Sequence, residues 1–144
     1  MFVTKILATK SNQGVLTIGP EASIADAVAE LGARKIGALV VSADGRRAQG
    51  ILSERDIVRE MAKTGGDVLS QTVASLMTRD LQTCAPGDRS DAVLERMTTG
   101  RFRHMPVEED GLLVGLISLG DVVKARLSEV SMEKDALEAM ISGH

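Results

Sequence analysis

The chain has 144 residues, of which 44% are hydrophobic and 26% charged, and this is the composition of a folded domain with an aliphatic core. Its net charge of −3 and its two Phe without Tyr or Trp argue against a nucleic-acid-binding surface, which needs a basic excess and stacking rings. The sequence lacks the apolar run of about 18 residues that a membrane-spanning helix requires, and its single cysteine excludes an internal disulfide and predicts a cytoplasmic protein.

The first half of the chain predicts a strand, a helix, a strand hairpin and a second helix. VLTIGP at 15–20 is a short strand that ends at a proline, and apolar residues at positions 24, 27, 28 and 31 then mark one face of a helix. The strands IGALVVS and AQGIL flank a turn at Asp44-Gly45, and the next helix begins at Ser53.

The segment GGDVLSQTVASLMTRD at 65–80 links this unit to the rest of the chain. Its two glycines are expected to stop the preceding helix, and Val73, Leu76 and Met77 indicate a short helical stretch.

The second half repeats the first. LQTCAP at 81–86 matches VLTIGP at an offset of 66, and FRHMPV at 102–107 matches IGALVV at the same offset. GLISLGDVV at 115–123 matches GILSERDIV at 50–58 at an offset of 65, after a second Asp-Gly turn. The sequence therefore predicts a mixed α+β fold of two β-α-β-β-α units.

Each unit has about 60 residues and would bury little surface alone, so we expect the two units to pack sheet against sheet about an approximate twofold axis. The predicted boundaries are 5–66 for the first unit, 67–128 for the second and 129–144 for a C-terminal helix or tail. Helical sequence from Ala125 to Ile141 carries apolar residues at 127, 130, 137 and 140, which could pack on the body or on another subunit.

The sequence contains no standard catalytic, phosphate-loop or metal motif. Its two histidines, His104 and His144, are too few for a metal cluster, and no nucleophile with a base beside it can be recognised. Cys84, in the predicted strand LQTCA, has no base near it and is expected to pack as a small hydrophobic residue. We therefore expect neither an enzyme nor a metal site.

Two Ser-x-x-Asp pairs stand out, Ser53 with Asp56 and Ser118 with Asp121. The spacing is that of a capping box at a helix N-terminus, although Asp is a less usual third residue than Glu or Gln. The strand glycines that precede each Ser by three positions often mark the close approach of a backbone or a ligand. Capping alone and capping combined with ligand binding both remain open.

Basic residues surround both pairs. Arg55 and Arg59 lie one turn apart on the helix that Ser53 opens, Lys35 precedes a strand, and RFRH at 101–104 precedes its counterpart. A helix N-terminus favours anions, and guanidinium groups beside it give a plausible phosphate site. His104 aligns with Ala38, so a shared core role is not expected for it.

The doubled G-h-x-S-x-x-D pattern, each copy after a strand-turn-strand, resembles two cystathionine-β-synthase (CBS) domains in tandem, the Bateman module. The resemblance covers residues 5–126 and includes the RFRHMPV run. It implies that Asp56 and Asp121 accept hydrogen bonds from the ribose hydroxyls of an adenosine ligand, while Ser53 and Ser118 contact ribose or phosphate. The other implied contacts are the adenine-pocket strands at Ile36, Gly37, Ala38 and at His104, Met105, Pro106, the threonines Thr17 and Thr83, and Lys35, Arg55, Arg103 and His104 for the phosphates.

The two copies depart from each other. The second has Gly120 where the first has Arg55, and the first has Gly37-Ala38 where the second has Arg103-His104. We therefore expect two unequal clefts, in which cations of one copy could serve a nucleotide held by the other.

The resemblance implies a stand-alone cytoplasmic sensor that binds a regulatory adenine nucleotide (AMP, ADP, ATP or NAD(H)), forms a homodimer and passes its ligand state to an unidentified protein partner. The alternative is an interaction module whose clefts stay empty, whose Ser-x-x-Asp pairs are only caps, and whose dimer surface is the function.

Overall fold

The computed structural model describes residues 1–10 and 15–143. The chain begins with a short helix, followed by a first unit of a short strand, a helix, a strand hairpin and a second helix, and then by a 3₁₀ helix and a single helical turn. In chain order these are α1 Val3–Thr9, β1 Thr17–Ile18, α2 Ile24–Arg34, β2 Ala38–Val41, β3 Gly50–Ser53, α3 Glu54–Thr64, the 3₁₀ helix Gly65–Ser70 and α4 Val73–Leu76.

The first sheet has the order β1-β2-β3, with β1 parallel to β2 and β2 antiparallel to β3. The free edge of β3 pairs with the linker, because Ile51 and Thr78 exchange backbone hydrogen bonds of 3.0 and 2.9 Å. The alternation of the strands and the 3.6-residue period of α2 bring one apolar face of each together. The resulting core contains Ile24, Ala27, Leu31, Leu39, Val41, Leu52, Ile57, Val68, Val73 and Met77.

The second unit consists of α5 Ser90–Gly100, the hairpin β4 His104–Glu109 and β5 Leu112–Ser118, and α6 Leu119–Ile141. The hairpin turns at Asp110-Gly111, where both residues have positive φ, as a tight Asp-Gly turn requires. The prediction of a regular strand at 81–85 was wrong. The Leu81 N–H donates to the carbonyl oxygen of Arg79, which turns the chain at this point. Within residues 81–85, only Cys84 pairs with a strand, in a single parallel bridge to Val107.

Helix α1 was not predicted, and it completes the second core rather than the first. Val3 and Ile6 are buried there beside Met97, Met105 and Ile117. Residues 5–9, which the sequence assigns to the first unit, therefore pack with the second, and the boundary between the units stays a prediction. The signal for this helix was the i, i+3, i+4 spacing of its apolar residues, within a segment too short to form a helix alone.

The predicted helix start at Ser118 and the predicted C-terminal helix form one continuous helix, α6. Its first turns are held against the body by the buried Val122 and Ala125. The apolar residues beyond them do not pack on the body, since Leu127, Val130 and Leu137 expose 50% or more of their surface. The predicted packing of this face on the body is therefore wrong, and its packing on another subunit stays a prediction.

The α+β fold class predicted from the repeat is confirmed.

Equivalent positions of the two repeats also share backbone conformation. Lys35 and Arg101 end α2 and α5 with φ of 54° and 57°, in the left-handed region that non-glycine residues seldom adopt. Within the described residues, no helix combines the length and the apolar content needed to cross a bilayer.

Candidate functional site

Two cavities lie at the N-termini of α3 and α6, one at each Ser-x-x-Asp pair. The first cavity, at Ser53 and Asp56, has a volume of about 880 Å³, and the second cavity, at Ser118 and Asp121, has a volume of about 580 Å³. Each is lined by residues of both repeats, because the turn before β4 reaches the first cavity and the turn before β2 reaches the second. The expectation that one copy would supply groups to the cleft of the other therefore agrees with the geometry.

Ser53 and Asp56 form a complete capping box at α3. The Asp56 N–H donates to Ser53 Oγ at 3.2 Å, and Asp56 Oδ2 accepts from the Ser53 N–H at 2.9 Å and from its hydroxyl at 3.1 Å. The other carboxylate oxygen, Oδ1, lies 3.6 Å from Arg59 Nη1. The cap thus occupies one oxygen of Asp56, a residue that lines the cavity, and leaves the other with a long ion pair.

Arginines and carboxylates are both numerous in the first cavity. Among the described residues, five guanidinium groups line it, against four carboxylates, which leaves a small excess of positive charge. Arg55 and Arg59 come from α3 of the first repeat, whereas Arg96, Arg101 and Arg103 come from α5 and the turn after it. The sequence drew attention to four of these residues; Arg96 was missed, because α5 carries no motif that distinguishes a cavity-facing arginine from a solvated one.

The second cavity has the same cap with a different partner. Asp121 Oδ2 accepts from the Ser118 N–H at 2.8 Å, and the Asp121 N–H donates to Ser118 Oγ at 3.1 Å. The same Oδ2 lies 2.8 Å from Lys10 Nζ, at the end of α1. Burial tends to raise the pKa of Asp121, but the hydrogen bonds from Lys10 and the Ser118 backbone outweigh it, so this pKa lies below its ordinary value.

His104 and Gly37 line both cavities. A Cβ built on Gly37 would lie 3.3 Å from His104 Cε1, so the absence of a side chain at 37 lets the imidazole sit between the two spaces. The Gly37 carbonyl accepts a 2.9 Å hydrogen bond from the Glu54 N–H at the start of α3. Burial first, and then the charge of Lys10, lowers the pKa of His104, which favours the neutral ring.

Most of the residues that the resemblance singled out lie at one of the two cavities. Those at the first are Gly37, Ser53, Arg55, Asp56, Arg103, His104 and Pro106, and those at the second are Lys35, Ile36, Gly37, Ala38, His104, Ser118 and Asp121.

Three residues lie elsewhere. Met105 is fully buried in the second core, because alternation along β4 turns it away from the face that carries His104 and Pro106. Thr17 pairs with Val40 inside the first sheet, and Thr83 precedes the bridge at Cys84; neither lines a cavity. Their predicted ligand contacts stay predictions that the cavity lining does not support.

The described residues provide neither a metal site nor a reactive thiol. Among the described residues, no group of three His, Cys, Asp or Glu side chains could hold a metal ion. Cys84 is buried in the second core, and burial raises the pKa of its thiol to about 11, so the thiol stays neutral as expected of a packing residue.

A scan against protein-family models matches the chain twice to the CBS domain, at residues 7–63 and 73–128. The CBS domain-containing protein CBSX3, mitochondrial, from Arabidopsis thaliana is 35% identical over 125 residues, which is 84% of this chain and 61% of that protein. This chain thus spans less than two thirds of that relative's length.

Solved structures give the same family. The CBS-domain containing protein ATU1752 from Agrobacterium tumefaciens is 48% identical and superposes with a TM-score of 0.82 over 88% of this chain and 99% of that one. The CBS-domain pair of protein MJ0100, solved in complex with 5′-methylthioadenosine and S-adenosyl-L-methionine, shares the fold at 22% identity, with a TM-score of 0.78 over 90% of this chain and 98% of that one.

Proposed function

Because the chain belongs to the CBS-domain family and forms a CBS pair, we propose that this regulatory module binds an adenine nucleotide (AMP, ADP, ATP or NAD(H)) and passes its ligand state to a protein partner. The observation that carries the proposal is the first cavity, in which a capped carboxylate and a cluster of arginines face one space of about 880 Å³. That volume falls within the range of small-molecule sites.

The carboxylate of Asp56 suits a ribose. A ribose diol offers two hydroxyl donors, and a carboxylate oxygen has two lone pairs to accept them. The capping box holds Oδ2 in place, so Oδ1 is oriented before any ligand arrives. A sugar would have to displace only Arg59, whose ion pair at 3.6 Å is long and whose side chain is 65% exposed.

The arginines suit the phosphates. Arg55 lies on the first turn of α3, where the helix dipole already favours an anion. Arg101 and Arg103 approach from the other repeat, so a phosphate bound there would be held by groups of both units. Such a ligand would link the two repeats, which gives binding a structural consequence beyond the cavity.

The solved CBS pair with adenosine compounds supports the ligand class without naming the ligand, since its identity to this chain is only 22%.

A reducing, cytoplasmic setting is part of the same proposal, because the single buried thiol suits such a setting. The alternative, an interaction module with empty cavities, is favoured by one observation, the exposed apolar stripe on α6.

The nucleotide proposal is tested by calorimetric titration and by thermal unfolding with AMP, ATP, NAD, NADH and S-adenosylmethionine. At a hundredfold excess over Kd, a ligand of the folded state adds about 2.7 kcal/mol to the free energy of unfolding. Unfolding is followed by circular dichroism, because the chain has no Trp or Tyr. If no adenosine compound changes the unfolding temperature, the interaction module is the better description.

Matched substitutions locate the site. Asp56→Asn removes the charged acceptor while leaving an oxygen for the cap, and should weaken binding of the responding nucleotide by about tenfold or more, the value of a hydrogen bond to a charged group. Asp135→Asn, an exposed position on α6 outside both cavities, is the control and should leave binding unchanged. Equal affinities for the two variants would show that the nucleotide does not use Asp56.

We also propose that the chain forms a homodimer through α6. Its exposed apolar residues at 123, 127, 130, 137 and 141 recur at intervals of three and four around Lys134, the spacing of a coiled-coil seam. A parallel pair would place the two Lys134 ammonium groups together. An antiparallel pair would separate them, so the charges favour the antiparallel arrangement.

Sedimentation velocity tests the homodimer. The wild-type chain should sediment with the mass of a dimer, twice the 15.2 kDa of one chain. Leu137→Glu places a charge in the proposed dimer seam without changing a buried residue, and should give a species with the mass of the monomer. Asp135→Asn on the same helix should stay dimeric. A wild-type chain that remains monomeric at a concentration of about 100 μM would exclude this dimer.

A further inference from the structure

Lys10 reaches from the end of α1 into the second cavity. Its ammonium group lies 2.8 Å from Asp121 Oδ2 and 2.7 Å from the Leu116 carbonyl oxygen. The lysine side chain is 37% exposed and the Asp121 side chain 25% exposed, so the pair stands at the mouth of the cavity rather than in the core. The cation therefore occupies the carboxylate that corresponds to Asp56 of the first cavity.

The first cavity has no equivalent of this contact among the described residues. Asp56 meets a cation only at 3.6 Å, and that cation comes from its own helix. Lys10 lies within the first CBS match, at residues 7–63, although its helix packs on the second core. The difference between the two carboxylates is thus imposed by a residue of the first repeat on the cavity of the second.

Lysines outnumber carboxylates around the second cavity. Among its described lining residues are Lys10 and Lys35, the neutral ring of His104, and one carboxylate, Asp121. If the sugar hydroxyls of a ligand replace Lys10 as the hydrogen-bond donors to Asp121, the Lys10 ammonium group has no other carboxylate to pair with among the described lining residues. A phosphate on the same ligand would give that ammonium a new partner.

We propose that Lys10 sets the ligand specificity of the second cavity: it excludes neutral adenosine compounds and admits adenosine compounds that carry a phosphate or another anionic group. The proposal rests on the proposed nucleotide-binding function and adds a selectivity that the first cavity does not have. Lys10 binds Oδ2, the oxygen that also accepts from the Ser118 N–H, so a ribose diol that uses both carboxylate oxygens has to displace it. A neutral ligand breaks the Lys10–Asp121 pair without replacing it, whereas an anionic ligand replaces Asp121 as the partner of Lys10.

The test compares adenosine with AMP by calorimetric titration. The measurements use Asp56→Asn chains, in which the first cavity has lost its charged acceptor, so that the second cavity dominates the signal. In this background, Lys10→Met should raise the affinity for adenosine and lower the affinity for AMP, each by about threefold to tenfold, the range expected of a partly exposed ion pair or charge-assisted hydrogen bond. Opposite changes for the two ligands are the signature of the proposal.

Two further chains complete the experiment. Lys5→Met removes an exposed lysine of the same helix, which lines neither cavity, and should leave both affinities unchanged. Lys10→Arg keeps the charge and should retain the preference for AMP. A merely structural role for Lys10 would move the two ligands in the same direction, because loss of structure weakens every ligand.

The outcomes separate this inference from the proposal on which it rests. If AMP binds the wild-type chain and Lys10→Met changes adenosine and AMP affinity equally or not at all, the specificity role is wrong and the nucleotide function stands. If adenosine, AMP, ATP, NAD and NADH all fail to bind the wild-type chain and every variant, both the specificity role and the nucleotide function are wrong.

Discussion

The two Ser-x-x-Asp sites have the same helix cap and different surroundings. Both serines accept from the N–H three residues on, at 3.2 and 3.1 Å, and both aspartates accept from the serine N–H, at 2.9 and 2.8 Å. Beyond the cap, the first aspartate faces arginines of the other repeat, while the second is bound by Lys10. The repeat thus determines where a carboxylate stands, and residues outside the shared pattern determine what it can bind.

The helix that supplies Lys10 belongs to the core of the second unit. Each core includes residues from beyond its predicted unit: the first includes Val73 and Met77 of the linker, and the second includes α1. Leu7 of this helix lies against Gly115 in β5, the position that corresponds to Gly50 in β3. The comparison between the two units can therefore be tested at the core, at the strand glycines, at the caps and at His104.

The largest effect is expected in the cores. Ile6 is 2% exposed in the second core and Ile24 fully buried in the first. We expect each to lower the free energy of unfolding by about 2–4 kcal/mol when replaced by Ala, because a buried cavity is left. Urea unfolding followed by circular dichroism measures both.

The exposed Lys5→Ala on α1 is the control and should cost less than about 0.5 kcal/mol. A cost for Ile6→Ala as small as that of Lys5→Ala would show that α1 is not part of the second core in solution. The placement of Lys10 in the second cavity would then lose its support.

These same residues show how far the sequence could be interpreted. The caps at Ser53 and Ser118 were predictable, because capping depends on residues within one turn. The contact of Lys10 with Asp121 was not, since the two lie 111 positions apart and only the folded chain brings them together. Helix α1 has no capping side chain and is stabilised by the core it packs on, so its local signal is weak.

The burial of Met105, in contrast, could have been predicted from the sequence. The strand that contains it was predicted, and strand alternation alone would have placed Met105 on the face opposite to His104 and Pro106. The resemblance carried all three residues over as one group, whereas the structure separates them into cavity and core. Residues of one motif thus have to be assigned to faces one by one.

The next effect distinguishes the two strand glycines. A Cβ at Gly50 would lie 2.7 Å from Met77 Sδ and 2.9 Å from the Thr78 carbonyl oxygen, whereas a Cβ at Gly115 would meet the end of the Leu7 side chain at 2.6 Å. A backbone oxygen cannot move aside as a leucine methyl can. We therefore expect Gly50→Ala to destabilise the protein by about 2 kcal/mol and Gly115→Ala by about 1 kcal/mol or less.

The measurement is again urea unfolding, with the open Gly32→Ala as a reference, because no atom lies within 4 Å of a Cβ there and a helix favours Ala. Equal costs at 50 and 115 would mean that the linker around Thr78 yields as easily as Leu7. These close approaches also answer why glycine precedes each Ser-x-x-Asp pair: it makes room for protein atoms.

A smaller and symmetrical effect is expected at the caps. Ser53→Ala and Ser118→Ala should each lower the free energy of unfolding by about 1 kcal/mol, because each removes one side-chain acceptor from a helix N-terminus. Thermal unfolding of the two variants should give similar shifts. A cost confined to one of them would show that the two caps, alike in geometry, differ in how much their helices depend on them.

The smallest effect is a pH dependence that belongs to the second unit. Burial and then the charge of Lys10 hold the pKa of His104 below its ordinary 6.5, and Arg103 acts in the same direction, while Glu54 and Asp121 oppose them. The folded chain therefore favours the neutral ring. As the pH falls below 6.5, the unfolded chain takes up a proton first, so the free energy of unfolding is unaffected by this group above 6.5 and declines as the pH falls toward the folded pKa.

Unfolding in urea between pH 7.5 and 5.5 tests this sign, in a range where ordinary carboxylates remain ionised. His104→Gln should flatten the decline, and His144→Gln should leave it in place. Because Ala38 occupies the equivalent position of the first repeat, no matching pH dependence should arise there. A decline of the same size in His104→Gln would mean that groups other than this imidazole sense the pH, and the ring between the two cavities would then be a packing element rather than a titrating one.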